Sequence, residues 1–289
     1  MMPRRRFLTL TAAALASPVG AEGAEWTGTG LGAALSVKLV GGTAAAARKA
    51  FARTEAEIAR IEASASLYHE SELTRLNRDG HLAWPSEGLL QLLALADQVH
   101  RATEGAFDPT VQPLWQAIAT GGDIATTRAL IGWERVEISQ SEIRLAPGQA
   151  LTLNGIAQGW AADRISGVLR QAGYGHALID MGEVQALGTR DNGQPWRARI
   201  ASPEGKALAE IALTDRALAT SSPRGTVIGG GQAHILGPRG QVPLWSTVAV
   251  SADRAALADA LSTAFCLMRQ SEIDRALAQF PQARLETIA

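Results

Sequence analysis

Two distant segments of the chain carry residue types that together could bind a divalent cation and a phosphate group. Residues 151–163 read Leu-Thr-Leu-Asn-Gly-Ile-Ala-Gln-Gly-Trp-Ala-Ala-Asp, a short apolar run followed by small residues and a helical pattern. Such a backbone can approach a phosphate closely or expose a carbonyl to a cation. Asp259 and Thr263 stand four positions apart, which places them on one face of a helix. A carboxylate, a hydroxyl and a backbone carbonyl are hard oxygen ligands, which suit Mg²⁺ holding a diphosphate.

Helices and strands must bring these segments together, and hydrophobic periodicity predicts where they lie. Helices are predicted over 43–63, 86–103, 159–172, 255–268 and 271–280. Strands are predicted over 31–40, 177–187, 217–221, 232–236 and 245–250, with a hairpin over 197–213. The two kinds of element are mixed without a regular strand–helix–strand repeat, so we predict an α+β fold.

The composition of the 289 residues is that of an ordinary globular protein, with 46% hydrophobic residues, 19% charged residues and a formal net charge of −1. No basic stripe with interleaved aromatic residues occurs, so nucleic acid is not expected as a partner. The single cysteine, Cys266, stands in the apolar run 264–268. This context favours a small buried hydrophobe over a nucleophile or a disulfide partner.

The N-terminal residues predict an export signal rather than part of the fold. Pro3-Arg-Arg-Arg-Phe-Leu-Thr9 precedes a mild apolar run and the small residues around 17–24. The order Arg-Arg-x-Phe-Leu is typical of twin-arginine signals, which carry folded proteins across a bacterial inner membrane. We therefore predict a twin-arginine signal over 1–21, a single domain over 25–289 and a periplasmic location; the alternative is a basic disordered tail. The apolar run is too short to cross a bilayer, so no membrane span is expected.

Each candidate motif also has an ordinary structural interpretation when it is taken alone. Asp259 could stabilise a helix N-terminus, and Thr263 could be a buried threonine. Phe107-Asp108-Pro109 would serve as a helix-ending turn, and His234 as a hydrogen-bonded histidine near a strand. Residues 154–159 have two glycines where a dinucleotide fingerprint needs three. Neither a zinc motif nor a Gly-x-Ser-x-Gly elbow is present in the sequence.

Taken in order, however, the motifs resemble those of the FAD:protein FMN transferases of the ApbE family. The resemblance covers essentially all of the sequence after the leader. The matching motifs are Tyr68-His-Glu-Ser-Glu-Leu-Thr-Arg-Leu-Asn77, Gly105-Ala-Phe-Asp-Pro-Thr-Val111, Thr152 to Asp163, Ala219-Thr-Ser221, His234-Ile-Leu-Gly-Pro-Arg239 and Asp259 to Thr263. The fold that this resemblance implies is ApbE-like and T-fold-related, with mixed sheets, packed helices and two intertwined lobes.

The resemblance implies a magnesium site, a base and a set of FAD contacts. The Gly155 carbonyl, Asp259 and Thr263 would hold Mg²⁺ against the FAD diphosphate, with Asp259 also counted as catalytic. His234 would help to deprotonate the acceptor hydroxyl. The implied FAD-contacting residues are Ala106, Phe107 and Asp108, which would face the adenosine together with Tyr68 and Leu31, and also Thr152, Gln158 and Ile235.

The sequence departs from the family pattern at four positions. Thr152 stands where the signature usually has aspartate, Asn154 replaces a glycine and Gln158 replaces a lysine. Gly237 stands where an aspartate often follows the His-Ile pair. The three implied metal ligands are unaffected by these replacements.

The activity implied by the resemblance is Mg²⁺-dependent transfer of FMN from FAD to a Thr or Ser hydroxyl of a partner flavoprotein, with release of AMP. The form of residues 152–159 resembles the exported NosX-like subgroup, which is tied to maturation of a flavoprotein associated with nitrous oxide reductase. Two alternatives stay open. Water could be the acceptor, which would give an FAD pyrophosphatase. The replacements at Thr152 and Gln158 could instead indicate a non-catalytic FAD-binding assembly factor.

Overall fold

The computed structural model describes residues 23–289, and the predicted leader over 1–21 lies outside them. The described helices are α1 (Ala44–Ala65), α2 (Glu72–Asp79), α3 (Glu87–Ala102), α4 (Gln112–Thr120), α5 (Ile124–Arg128), α6 (Ala157–Gln171), α7 (Ala255–Phe265) and α8 (Gln270–Leu277). The described strands are β1 (Gly23–Gly30), β2 (Ala33–Val40), β3 (His81–Ala83), β4 (Glu137–Ile138), β5 (Glu142–Arg144), β6 (Ala177–Asp180), β7 (Val184–Leu187), β8 (Trp196–Ala201), β9 (Ala207–Leu213), β10 (Arg216–Ser221), β11 (Val227–Ile228), β12 (Gln232–Ala233), β13 (Val248–Ala252) and β14 (Arg284–Ile288).

The main sheet has seven strands in the order β1-β2-β6-β7-β10-β13-β14, and every neighbouring pair is antiparallel. An antiparallel sheet with separate packed helices confirms the predicted α+β class. Strand β2 buries alternate residues, as its sequence pattern predicts. Its inward side chains are Ala33, Leu35, Val37 and Leu39.

Helices α6 and α7 pack against each other on one face of this sheet, and α7 also contacts β10 and β13. Almost every residue of α7 is buried, which fits a helix that is apolar on all sides. The two helices approach closely at Gly159, where a Cβ would lie 2.3 Å from the carbonyl oxygen of Ala255. Only glycine therefore permits this helix contact.

The hairpin of β8 and β9 covers the opposite face of the sheet. Trp196, Ala198 and Ile200 of β8 are buried against sheet residues such as Leu178 and Leu218. The intervening positions of β8 point away from this apolar cluster, because successive side chains of a strand alternate between its two faces.

One predicted element is wrong in a way that concerns the site. Residues 177–187 were expected to form one strand, but they form the two antiparallel strands β6 and β7. The chain reverses around Gly182, whose φ of +98° is accessible to glycine and strained for other residues. The reversal brings Glu183 to the edge of the site. The division into a leader and one domain stays a prediction.

No helix within residues 23–289 combines the length and apolar character needed to cross a membrane.

We expect Gly159→Ala to destabilise the protein by about 1–3 kcal/mol, because the added methyl group must push α6 and α7 apart. Gly167→Ala is the matched control on the same helix, since a Cβ there meets no atom within 4 Å. That change should stabilise the protein by about 0.5–1 kcal/mol through helix propensity. Chemical denaturation of both variants measures the difference, and equal effects would contradict the close-contact role of Gly159.

Candidate functional site

Every site residue predicted from the sequence lines one cavity of about 360 Å³. The cavity is bounded by the turn between β1 and β2, the segment before α6, the N-terminal half of α6, one face of α7 and the tip of the β8–β9 hairpin. The predicted residues that meet there are Leu31, Tyr68, Ala106, Phe107, Asp108, Thr152, Gly155, Gln158, His234, Ile235, Asp259 and Thr263. Segments far apart in sequence thus contribute to a single site.

The residues that carry the three predicted oxygen donors lie where α6 begins and α7 passes beside it. Asp259 and Thr263 lie one turn apart on α7. Gly155 lies just before α6, and a Cβ built on it would be 3.1 Å from the Thr263 hydroxyl oxygen. A larger residue at this position would therefore crowd that hydroxyl.

Asp259 is almost completely buried and is hydrogen-bonded to α6. Its side chain is 3% exposed, and its Oδ2 accepts a hydrogen bond from the Gly159 N–H at 3.0 Å. Burial raises the pKa of the Asp259 carboxyl to about 7, and the nearby charge of Asp163 acts in the same direction. A cation bound nearby would lower this pKa and favour the ionised carboxylate.

Glu183 is a second buried carboxyl at the site, and the sequence analysis missed it. Its Oε2 accepts a hydrogen bond from the Thr220 N–H at 3.0 Å. Burial raises the pKa of Glu183 well above its ordinary value, and the charge of Asp259 raises it further. The sequence does carry a signal, because Asp180-Met-Gly-Glu183 places two acids around a glycine turn.

The donor set fits a hard divalent cation. No lysine or arginine among the described residues forms an ion pair with Asp259 or Glu183. No group of three His, Cys, Asp or Glu side chains within residues 23–289 could hold a metal, so such a cation needs the Thr263 hydroxyl and the Gly155 carbonyl as well.

His234 faces the cavity as a neutral base. Its Nδ1 lies 2.9 Å from the Pro223 carbonyl oxygen and 3.1 Å from that of Thr226, so Nδ1–H donates to these oxygens. That arrangement leaves Nε2 as the acceptor nitrogen. Burial lowers the pKa of His234 below its ordinary value, which keeps the ring unprotonated near pH 7.

Asp108 has a structural task beside its predicted role. Its Oδ1 accepts hydrogen bonds from the backbone N–H of Thr110 at 2.8 Å and from the Thr110 hydroxyl at 2.6 Å. These bonds fix the turn that presents Phe107, whose ring edge would meet a Cβ on Gly155 at 3.4 Å. The turn also supports Thr152, whose N–H donates to the Pro109 carbonyl at 2.8 Å.

Two of the departures from the family signature make specific contacts. The side chain of Asn154 is hydrogen-bonded to the Tyr68 hydroxyl. The Gln158 side chain lies against Gly182, where a Cβ would come within 2.5 Å of its amide nitrogen. Neutral polar groups at these positions therefore shape the cavity wall. The sequence motifs predict neither contact.

The fold and the cavity together define a class of protein: an α+β protein with a cavity whose oxygen donors and neutral histidine suit transfer of a phosphate-containing group. A family model described as the ApbE family matches residues 31–288. The chain belongs to the ApbE family.

Relatives with known names agree with this assignment. The FAD:protein FMN transferase of Haemophilus influenzae is 26% identical over 279 residues, covering 85% of this chain and 81% of that protein. The FAD:protein FMN transferase of Rhodobacter capsulatus is 30% identical over 272 residues. That match covers 86% of this chain and 52% of the relative, so the chain spans about half of that protein's length.

Solved structures have the same fold. The flavinyl transferase ApbE of Pseudomonas stutzeri in its apo form is similar with a TM-score of 0.78 and 25% identity, and 89% of each chain is covered. The ApbE protein of Thermotoga maritima has a TM-score of 0.80 and 23% identity, covering 93% of this chain and 96% of that chain. The second likeness is one of fold alone.

The raised pKa of Asp259 predicts how stability depends on pH in metal-free protein. A carboxyl whose pKa is higher in the folded than in the unfolded state loses stabilisation as pH rises between the two values. We therefore expect the melting temperature of the wild type in a chelator to fall between about pH 4 and about pH 7, the unfolded and folded pKa values of the Asp259 carboxyl. Asp259→Asn should show a smaller fall, and equal slopes in the two proteins would contradict the buried ionisation.

Proposed function

We propose that this ApbE-family protein transfers the FMN part of FAD to a Thr or Ser hydroxyl of a partner flavoprotein, with Mg²⁺ bound at the site and AMP as the other product. The observation that supports this most strongly is the cavity itself. It gathers a buried carboxylate, a hydroxyl, a backbone carbonyl and a neutral histidine around a space of about 360 Å³. Phosphoryl transfer needs positioning and charge neutralisation more than covalent help from the protein.

The protein's first task is to hold FAD in an extended pose across the cavity. The segment Ala106 to Asp108, with Leu31 and Tyr68, would contact the adenosine. Thr152, Gln158 and Ile235 line the same cavity and would make further contacts. This arrangement would present the FMN-side phosphorus toward His234.

Asp259, Thr263 and the Gly155 carbonyl would hold Mg²⁺, which when bound would neutralise the charge of the diphosphate. Glu183 lies close enough to Asp259 for their charges to interact, so a cation bound there would favour the ionised form of both carboxyls. The hydrogen bond from the Gly159 N–H orients the Asp259 carboxylate for this task.

His234 would accept the proton of the acceptor hydroxyl at Nε2. The acceptor oxygen then forms a bond to the FMN-side phosphorus, and the bond from that phosphorus to the oxygen of the AMP phosphate breaks. The hydrogen bonds from Nδ1 to two backbone carbonyls orient the ring and stabilise the positive charge it gains.

The setting of the reaction is also part of the proposal. The leader sequence Arg-Arg-x-Phe-Leu supports export of the folded protein to the periplasm by the twin-arginine route. The form of residues 152–159 supports a NosX-like role in maturation of a respiratory flavoprotein associated with nitrous oxide reductase.

The direct test is to incubate the protein without its leader with FAD, Mg²⁺ and an acceptor flavoprotein. We expect a mass increase of one FMN on the acceptor and an equal amount of AMP. Formation of FMN and AMP without any acceptor would favour an FAD pyrophosphatase. Tight FAD binding without any turnover would favour a non-catalytic assembly factor.

We expect Asp259→Asn to reduce Mg²⁺-dependent transfer by about a hundredfold or more, because the metal loses its only proposed charged ligand. The amide keeps the shape of the side chain and can still accept the Gly159 hydrogen bond. Circular dichroism should therefore show an unchanged fold. If the variant transfers FMN at the wild-type rate, the metal assignment is wrong.

His234→Ala should lose most of the transfer activity, by about a hundredfold to ten-thousandfold, because it removes the base. FAD binding should stay near the wild-type level, since the proposed role concerns the acceptor proton. Added imidazole should restore part of the rate. A variant that keeps full activity at neutral pH would rule out His234 as the base.

A further inference from the structure

The cavity is lined by a cationic side chain, Arg199, that has no role in the proposed mechanism. Arg199 lies on β8, and the hairpin that carries it forms one wall of the cavity together with Ser202, Pro203 and Gly205. Among the described residues that line the cavity, Arg199 is the only lysine or arginine. A fixed positive charge in a site for an anionic dinucleotide is a natural binding group.

The Arg199 guanidinium lacks a partner within the described part of the chain. Its Nε is buried and donates no hydrogen bond to any described residue, and no ion pair between described residues includes Arg199. Glu210 lies directly across the hairpin from Arg199, but its carboxylate pairs with Arg197 instead. A buried charged donor without a partner is costly, so its presence points to a ligand that completes it.

The position of Arg199 indicates which part of FAD it would meet. The hairpin that carries Arg199 packs on one face of the main sheet, whereas α7, which carries Asp259 and Thr263, packs on the other face. Arg199 therefore belongs to a different wall of the cavity from the residues proposed to hold the metal and the diphosphate. In the proposed function the adenosine contacts Phe107. The flavin ring at the other end of FAD would then lie against the hairpin wall.

We propose that Arg199 binds the flavin ring of FAD by donating hydrogen bonds to its pyrimidine oxygens. The proposal rests on the proposed function, because it takes FAD as the substrate. The planar fork of guanidinium N–H groups matches the planar, oxygen-bearing edge of the ring. Position 158 holds a neutral glutamine where the family signature has lysine, so the positive charge of this cavity comes from Arg199 on the hairpin.

The experiment compares FAD with ADP-ribose, which has the adenosine and both phosphates but no flavin. Arg199→Gln should raise the Kd for FAD by about tenfold or more, as expected for loss of a charge-assisted hydrogen bond. Its Kd for ADP-ribose should stay unchanged. The bound flavin should also become harder to reduce, because a cation near the pyrimidine oxygens stabilises reduced flavin.

Arg197→Gln is the matched control, because Arg197 lies two residues away on the same strand but is exposed and paired with Glu210. It should bind both ligands as the wild type does. Arg199→Lys keeps the charge without the planar fork and should give an intermediate affinity for FAD, which provides a second variant if Arg199→Gln folds poorly.

Two results would overturn the inference alone: wild-type FAD affinity in Arg199→Gln, or an equal loss of affinity for FAD and ADP-ribose. A wild-type protein that binds no FAD would instead overturn the proposed function, and this inference with it.

Discussion

The site depends on two sets of hydrogen bonds that tie α6 to α7. The Gly159 N–H of α6 donates to Asp259 of α7, while the Asp163 carboxylate of α6 accepts hydrogen bonds from the backbone N–H groups of Ala255 and Ala256 at 2.7 and 3.0 Å. Asp163 thus caps the N-terminus of α7, which has no capping side chain of its own. Because these bonds run in both directions, the two helices hold each other in register. That register places Gly155, Asp259 and Thr263 at one point.

Hydrogen bonds from backbone N–H groups also explain why buried acids are tolerated at the site. Asp259, Asp163 and Glu183 all have pKa values raised by burial, and each is nevertheless hydrogen-bonded to a backbone N–H. These bonds offset part of the desolvation cost, and the remaining negative potential favours a cation. The fold therefore carries an electrostatic strain that substrate and metal would relieve, which is common at functional sites.

Local pattern in the sequence predicts much of this fold and less of its site. Alternation on β2 and the helical stripe of α3 each come from a clean period, and both elements were found close to the predicted bounds. Strand β1 was missed, because Gly23–Gly30 has small and polar residues and becomes a strand only by pairing with β2. The break at Gly182 was missed for a similar reason: the apolar run continues on both sides, and only the glycine and the two acids around it mark the turn.

The site residues likewise divide into those that sequence motifs reveal and those that only the fold brings to the cavity. Asp259, Thr263 and Gly155 could be predicted because they stand in ordered motifs, whereas Glu183 and Arg199 stand in no motif and reach the cavity only through tertiary packing. The replacements in the signature follow this logic. At position 154, asparagine lacks the backbone freedom of the signature's glycine, but its side chain is hydrogen-bonded to Tyr68. At position 158, glutamine lacks the charge of the signature's lysine, but its side chain packs against the turn at Gly182. A signature records which backbone must approach the substrate, while the charge that surrounds the substrate can come from any wall of the cavity. For this reason the loss of a motif lysine does not by itself argue against binding of an anionic dinucleotide.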